Sequence, residues 1–165
     1  MKTNAVQIKI SNVPAFKDAI AALKSDHRAV EKAFSEFESM SKGDYALKKK
    51  LADHICHELT VHMTVEEELV YPEIEQKVKG AEDIVNEAIV EHSGAKVLIE
   101  EIKSMKGNEK LFDTKVMVLA EQIEHHVKEE EGEMFPKVLK SKLDVVALGA
   151  RIAQRKKQIN SSQPE

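Results

Sequence analysis

The sequence predicts an all-α protein: an up-down antiparallel four-helix bundle with an additional C-terminal helix. Three observations lead there. Apolar residues recur at three- and four-residue steps through four long segments. Short breaks containing glycine separate those segments, which makes neighbouring helices antiparallel. The composition is that of a helical globular chain, with 42% hydrophobic and 33% charged residues, few aromatics and no Trp.

The first helix is expected to begin near Ser11 or Asn12 as N-cap, with Pro14 in its first turn. Phe16, Ile20, Leu23, His27, Val30, Phe34 and Phe37 then mark one face to about Met40. Ser41 to Asp44 contains Gly43 and reads as a loop. The second helix starts near Tyr45, and Leu51, Ile55, Glu58, Leu59, His62, Glu66 and Leu69 or Val70 mark its inner side. Pro72 bends or interrupts it, because proline lacks an N–H and crowds the preceding turn. The helical pattern resumes to about Val78.

After Gly80, the third helix carries Ile84, Val85, Ala88, Ile89, His92, Val97 and Leu98 to about Met105. Gly107 and Asn108 form the next break. The fourth helix carries Leu111, Phe112, Val116, Leu119, Ile123, His126, Val127 and Glu130, and meets Pro136. A last amphipathic segment runs from about Leu143 to Ile159. Residues 1–12 are read as an extension with a trace of strand alternation at Val6 to Ile10. Residues 13–140 are read as the bundle, and 141–165 as a C-terminal helix and tail.

Composition also sets aside several classes of function. Lys+Arg 25 against Asp+Glu 29 gives a net charge of -4 without a long basic run, so no nucleic-acid partner is expected. No apolar stretch approaches the roughly 20 residues of a membrane-spanning helix. Met1 to Ile10 lacks the apolar core of a secretory signal. Cys56 is the only cysteine, so no internal disulfide can form and a reducing cytoplasm is expected.

The chemistry lies in a repeat. His62-Met-Thr-Val-Glu66-Glu67 leads to Tyr71-Pro72, and His126-Val-Lys-Glu-Glu130-Glu131 leads to Phe135-Pro136. His and Glu four residues apart share one helix face, so each pair can reach one metal ion or bridge two. The other two helices each place one histidine, His27 and His92, on an apolar face. A single such histidine is ordinarily a core residue with a hydrogen-bond partner, and a Glu run is ordinarily a solvated face. The combination of four histidines and two glutamates from four helices is hard to obtain from packing alone. Burying these groups without a cation is also costly. Imidazole with carboxylate suits iron, manganese or zinc. Glu-x-x-His, used by ferritin-like di-iron bundles, does not occur, and His57-Glu58 fails the His-Glu-x-x-His zinc pattern because position 61 is Val61.

The ordered set His27, His62, Glu66, His92, His126 and Glu130 resembles the hemerythrin-like, or HHE cation-binding, family over about residues 15 to 140. Asp26-His27 and the two Glu-Glu to aromatic-Pro segments share that resemblance. It implies two iron ions with an oxo or hydroxo bridge. His27 and His62 would bind one ion, His92 and His126 the other, and Glu66 and Glu130 would bridge. One departure is Lys96, where oxygen carriers of the family have a further histidine. Another is Glu130 at spacing four, where carriers have an Asp at spacing five. The site is then one imidazole short and has one more open position. This resembles the six-ligand branch, linked to iron or oxygen sensing and to peroxide chemistry.

The expected partner is therefore dioxygen or hydrogen peroxide, in a catalase-like or protective role. The alternative is a non-enzymatic protein that senses or stores oxygen, nitric oxide or iron. Asp26, Glu58 and Tyr71 are candidates for supporting the ligands. Glu67 and Glu131 are read mainly as surface charge, and His54, His57 and His125 as lying outside the site. The C-terminal segment is expected to pack across the bundle or to mediate a homodimer. Its basic end, Arg151, Arg155, Lys156 and Lys157, is read as a solvated helix terminus.

Overall fold

A computed structural model describes residues 16–162. The expected Ser11, Asn12 and Pro14 start and the Val6 to Ile10 alternation lie outside these residues. Among the described residues the chain forms α1 (Ala19–Ser39), α2 (Tyr45–Val65), α3 (Tyr71–Lys77), α4 (Glu82–Ser104), α5 (Phe112–Glu129), α6 (Phe135–Leu139) and α7 (Val145–Ser161). A π-helical turn, Glu66–Val70, joins α2 to α3, and a second, Glu130–Met134, joins α5 to α6. The bundle is closed by α1 on α2, α2 on α4, α4 on α5 and α5 on α1, with α7 laid outside on α1 and α2.

Helix α1 begins at Asp18, whose side chain accepts from the Ala21 N–H at 2.9 Å. Phe16, expected on the inner face, precedes the helix and is exposed. Val97 and Leu111 are exposed as well. Val97 stands five residues beyond His92, which carries it about 140° round the helix at about 100° per residue. Leu111 falls in the turn ahead of α5. Gly43, Gly80 and Gly107, in the turns after α1, α3 and α4, all have positive φ. At Gly107 a Cβ would lie 2.9 Å from the Tyr45 carbonyl, so this turn needs glycine for space as well as for conformation.

Each π turn begins at a glutamate of the repeat and ends just before an aromatic-Pro pair. The Tyr71 N–H bonds to the Glu66 carbonyl, and the Phe135 N–H to the Glu130 carbonyl, five residues back in each case. Pro72 and Pro136 cannot donate to the carbonyl four residues back, and their rings would crowd it. Widening the preceding turn lets the helix continue through the proline. The expected bend at Pro72 is thus absorbed one turn earlier, and such turns often mark functional sites.

Two apolar clusters form the core. One is built on Leu23, Tyr71, Ile74, Val85, Phe135, Val138, Leu148 and Ile152. The other is built on Val30, Phe37, Ile55, Leu59, Met63, Ile99, Phe112, Leu119 and Val127. Between them lies a polar layer that includes His27, His62, Glu66, His92, His126 and Glu130, all buried. Lys48, also buried, sits elsewhere, paired with Asp113 at 2.5 Å and lying over the Phe37 ring.

Candidate metal centre

Helices α1, α2, α4 and α5 each bring one histidine to the polar layer, and the two π turns bring one glutamate each. Glu66 Oε1 lies 3.0 Å from His62 Nε2, and its Oε2 lies 3.3 Å from His92 Nε2 and 4.0 Å from His126 Nε2. Glu130 Oε2 lies 3.2 Å from His27 Nε2 and 3.6 Å from His126 Nε2. Two overlapping donor sets result. One is His27, His62, Glu66 and Glu130, and the other is Glu66, His92 and His126, with the donor atoms of each within 4.8 Å of one another.

All four imidazoles are oriented alike. Each sets Nδ1 against a carboxylate and turns Nε2 inward. His27 Nδ1 meets Glu131 at 2.8 Å, His62 Nδ1 meets Asp26 at 2.9 Å, His92 Nδ1 meets Glu67 at 2.9 Å and His126 Nδ1 meets Glu91 at 2.7 Å. The four carboxylates follow the ring of helices. Asp26 on α1 serves α2, Glu67 after α2 serves α4, Glu91 on α4 serves α5, and Glu131 after α5 serves α1. Each carboxylate is the sequence neighbour of an inward residue. It precedes that residue on α1 and α4 and follows it after α2 and α5. One residue is about 100° of helix rotation. A step back on one helix and a step forward on its antiparallel neighbour therefore turn the same way round the bundle.

This arrangement corrects the reading of Glu67 and Glu131 as surface charge, and it adds Glu91, which spacing alone did not single out. Its signal was nonetheless present, as an acidic residue directly beside His92. Glu58 does not join the cluster: it is exposed on α2. Tyr71 is buried, donating to Glu130 Oε1 at 3.0 Å, with Glu66 Oε2 at 3.4 Å and His92 Nε2 at 3.2 Å. His125 is exposed beside Glu91 and Glu129, and His57 contacts Asn160. Lys96 points away from the cluster and holds both oxygens of Glu67 at 2.7 Å.

At His62, His126 and Glu66 burial penalises charge, yet partners outweigh it. His62 is pushed up to about 10: burial opposes its charge, while the Glu66 charge and the Asp26 hydrogen bond overcome that. His126 rises to about 9 against burial, through Glu130 and Glu91. Burial would raise the Glu66 carboxyl, but His62 and His92 hold it well below the usual range. The Tyr71 phenol goes well above its ordinary value through burial and the charges of Glu66 and Glu130, so it stays a donor.

The donor set fits metal ions. His27 Nε2, His62 Nε2, Glu66 Oε1 and Glu130 Oε2 are buried, face the interior and lack a hydrogen-bond partner. Orphaned buried groups of this kind call for a partner. Imidazoles locked by Nδ1 to a carboxylate are the usual presentation of Nε2 to a metal. Beside the layer lies a small cavity lined by Val30, Leu59, Met63, Ile123 and Val127 together with the histidines. It leaves about 10 Å³ for the centre of a water-sized sphere, enough for about one such molecule.

Comparison with known proteins agrees with this geometry. The description "Hemerythrin HHE cation binding domain" matches residues 18–138. An uncharacterised hemerythrin-like protein of Schizosaccharomyces pombe is 27% identical over 116 residues, covering 70% of this chain and 56% of that protein. A protein named DNA nickase from Nostoc sp. is 30% identical over 113 residues, covering 68% of this chain and 31% of that protein. The chain therefore spans about a third to a half of the length of these two curated relatives. A crystal structure of a hemerythrin HHE cation-binding domain-containing protein from Mycobacterium kansasii shares the fold. Its TM-score is 0.74 at 21% identity, over 89% of this chain and 90% of that one. With four imidazoles and two carboxylates gathered from four helices, the chain belongs to the hemerythrin HHE cation-binding domain family.

Proposed function

We propose that the chain holds two iron ions in its polar layer and uses them to bind or react with dioxygen or hydrogen peroxide. The observation that carries this reading is the pair of donor sets sharing Glu66, whose buried inward atoms meet only one another, as close imidazole–carboxylate pairs without hydrogen-bond geometry. His27 and His62 would hold one ion, His92 and His126 the other, with Glu66 and Glu130 placed to reach both. This mixture of imidazole and carboxylate suits iron, with manganese or zinc as competitors. A bound iron pair would supply the electrons that make or break an O–O bond.

The chain's own residues supply position, dryness and charge. Asp26, Glu67, Glu91 and Glu131 fix the imidazole planes and leave each Nε2 facing inward. Tyr71 holds Glu130 by its hydroxyl and closes the layer on the side of Phe135 and Ile74. The opposite side opens to the small cavity, walled by five apolar side chains with the histidines and Asp26, which has room for about one water-sized molecule. At Lys96, an extra imidazole would add a ligand. The ammonium there is drawn off to Glu67 and offers no ligand, so a bound ion would have one imidazole fewer. That shortfall favours reactivity over carriage. The lone cysteine, buried at position 56, fits the reducing cytoplasm in which we place the protein.

Metal analysis and optical spectroscopy of protein from iron-fed cells test the proposal. About two irons per chain, as two-metal sites require, with charge-transfer absorption are expected. Peroxide should then evolve oxygen with the native chain but not with Glu130→Ala. Zinc alone, or protein without metal, from such cells would overturn it.

A further inference from the structure

The carboxylates that hold the histidines are themselves held from outside. Glu131 Oε1 accepts from His27 and also from Arg28, the latter at 2.5 Å. Asp26 Oδ2 accepts from His62 and also from Lys156. Glu67 Oε1 accepts from His92 and also from Lys96, at 2.7 Å. In all three cases a single oxygen joins one inward imidazole to one permanent cation. The three cations come from α1, α4 and α7. The fourth carboxylate, Glu91, meets His125 instead and uses its other oxygen.

We infer that Lys156, Lys96 and Arg28 are positioning residues for the metal-binding imidazoles, acting through Asp26, Glu67 and Glu131. The inference rests on the metal centre proposed above. Lys156 is the sharpest case. It stands on α7, beyond the 18–138 family match, and reaches Asp26 across 130 residues of sequence. It is also better sheltered than its counterparts, with 21% of its side chain exposed against 51% for Lys96 and 57% for Arg28. An exposed ion pair adds little to stability. A pair that fixes the carboxylate behind a metal ligand acts on the ligand's orientation instead. Without the cation, the carboxylate is free to turn to solvent and the imidazole loses its fixed plane. The C-terminal helix thereby becomes part of the centre it covers, serving the His62 half, while Lys96 serves the His92 half.

The test loads the full-length protein with Co²⁺ and follows its visible spectrum as a chelator removes the ion. Loss of a residue that orients a metal ligand typically costs 10–100-fold in affinity, and these cations act one contact further out. Lys156→Met should therefore release Co²⁺ from one half of the site roughly three to ten times faster than the native chain. Lys156→Arg should restore the native rate. Lys96→Met should accelerate the other half. Arg151→Met breaks an ion pair between α7 and Glu73 without touching a histidine's partner, so it should leave release unchanged. Equal acceleration by Arg151→Met and Lys156→Met would reduce Lys156 to docking of α7 and overturn the inference. Unchanged release from Lys156→Met would do the same. A native chain that takes up no Co²⁺ would overturn the metal centre itself, and this inference with it.

Discussion

Removing and restoring metal should move the stability of this protein by an amount the structure allows one to bound. His27 Nε2, His62 Nε2, Glu66 Oε1 and Glu130 Oε2 are buried without hydrogen-bond partners. They stand as two imidazole–carboxylate pairs, 3.2 and 3.0 Å apart without hydrogen-bond geometry, so at about 1–3 kcal/mol for each unmade bond the two cost roughly 2–6 kcal/mol. Against a total of about 5–15 kcal/mol for a domain of this kind, that is a substantial weakening of the metal-free chain. Metal ions that take all four atoms remove that cost and add binding energy that the unfolded chain does not share. Even the low end, about 2 kcal/mol, corresponds to a rise of roughly 4–8 °C in Tm for a chain of this size. Thermal unfolding by circular dichroism, with chelator-treated protein titrated by Fe²⁺ under anaerobic conditions, reads this directly. The rise should saturate at two ions per chain and should shrink sharply in His62→Ala. A shift below about 2 °C, well under the smallest rise expected, or an equal shift in His62→Ala, would refute the view that these six residues form a metal site.

Three further outcomes are expected. Tyr71→Phe leaves Glu130 Oε1 without its 3.0 Å donor and should cost the metal-free protein about 1–3 kcal/mol in urea unfolding, with peroxide turnover falling less than about tenfold. Gly149→Ala would place a Cβ 2.8 Å from the Ala19 nitrogen and the Asp18 carbonyl carbon, so α7 must move off α1, at about 1–3 kcal/mol by denaturant unfolding. Cys56 is pushed up to about 11, chiefly by burial with Asp53 adding to it, so its thiolate is scarce at pH 8. Alkylation of the folded protein should therefore keep accelerating with pH beyond 9, and a plateau near the pKa of an ordinary thiol would refute this.

Much of the bundle was legible because its signals are local. Leu23, His27, Val30, Phe34 and Phe37 announce a helix face by spacing alone, and all are buried. The His-x-x-x-Glu repeats were visible for the same reason, since four residues return the chain to one face. The π turns were not legible. Proline signals a disturbance in the helix but not how the backbone absorbs it. The ring of carboxylates was only half legible. Asp26, Glu67, Glu91 and Glu131 each adjoin an inward residue, yet their partners lie on the next helix, and which way a side chain turns depends on how the helices are packed. Arg151, Arg155 and Lys156 were read as a solvated helix end for the same cause. Their partners Glu73, Glu68 and Asp26 lie 78, 87 and 130 residues away in sequence.

The repeat is twofold in sequence but not in chemistry, and the difference falls at its aromatic position. Phe135 stacks on His27, with ring centroids 5.9 Å apart and planes within 3°. Tyr71, at the matching place, tilts against His92 and points its hydroxyl at Glu130. One half of the centre thus has an apolar wall where the other has a donor. Tyr71 packs in the apolar cluster on one side of the polar layer, whereas the cavity is walled by Val30, Leu59, Met63, Ile123 and Val127 from its other side. Tyr71 does not line that cavity. Its hydroxyl therefore acts on the carboxylates from behind and not on a molecule arriving through the cavity. Loss of the hydroxyl should accordingly weaken the hold on Glu130 more than it slows chemistry. A small molecule in the cavity would meet the four histidines and Asp26 set among five apolar side chains.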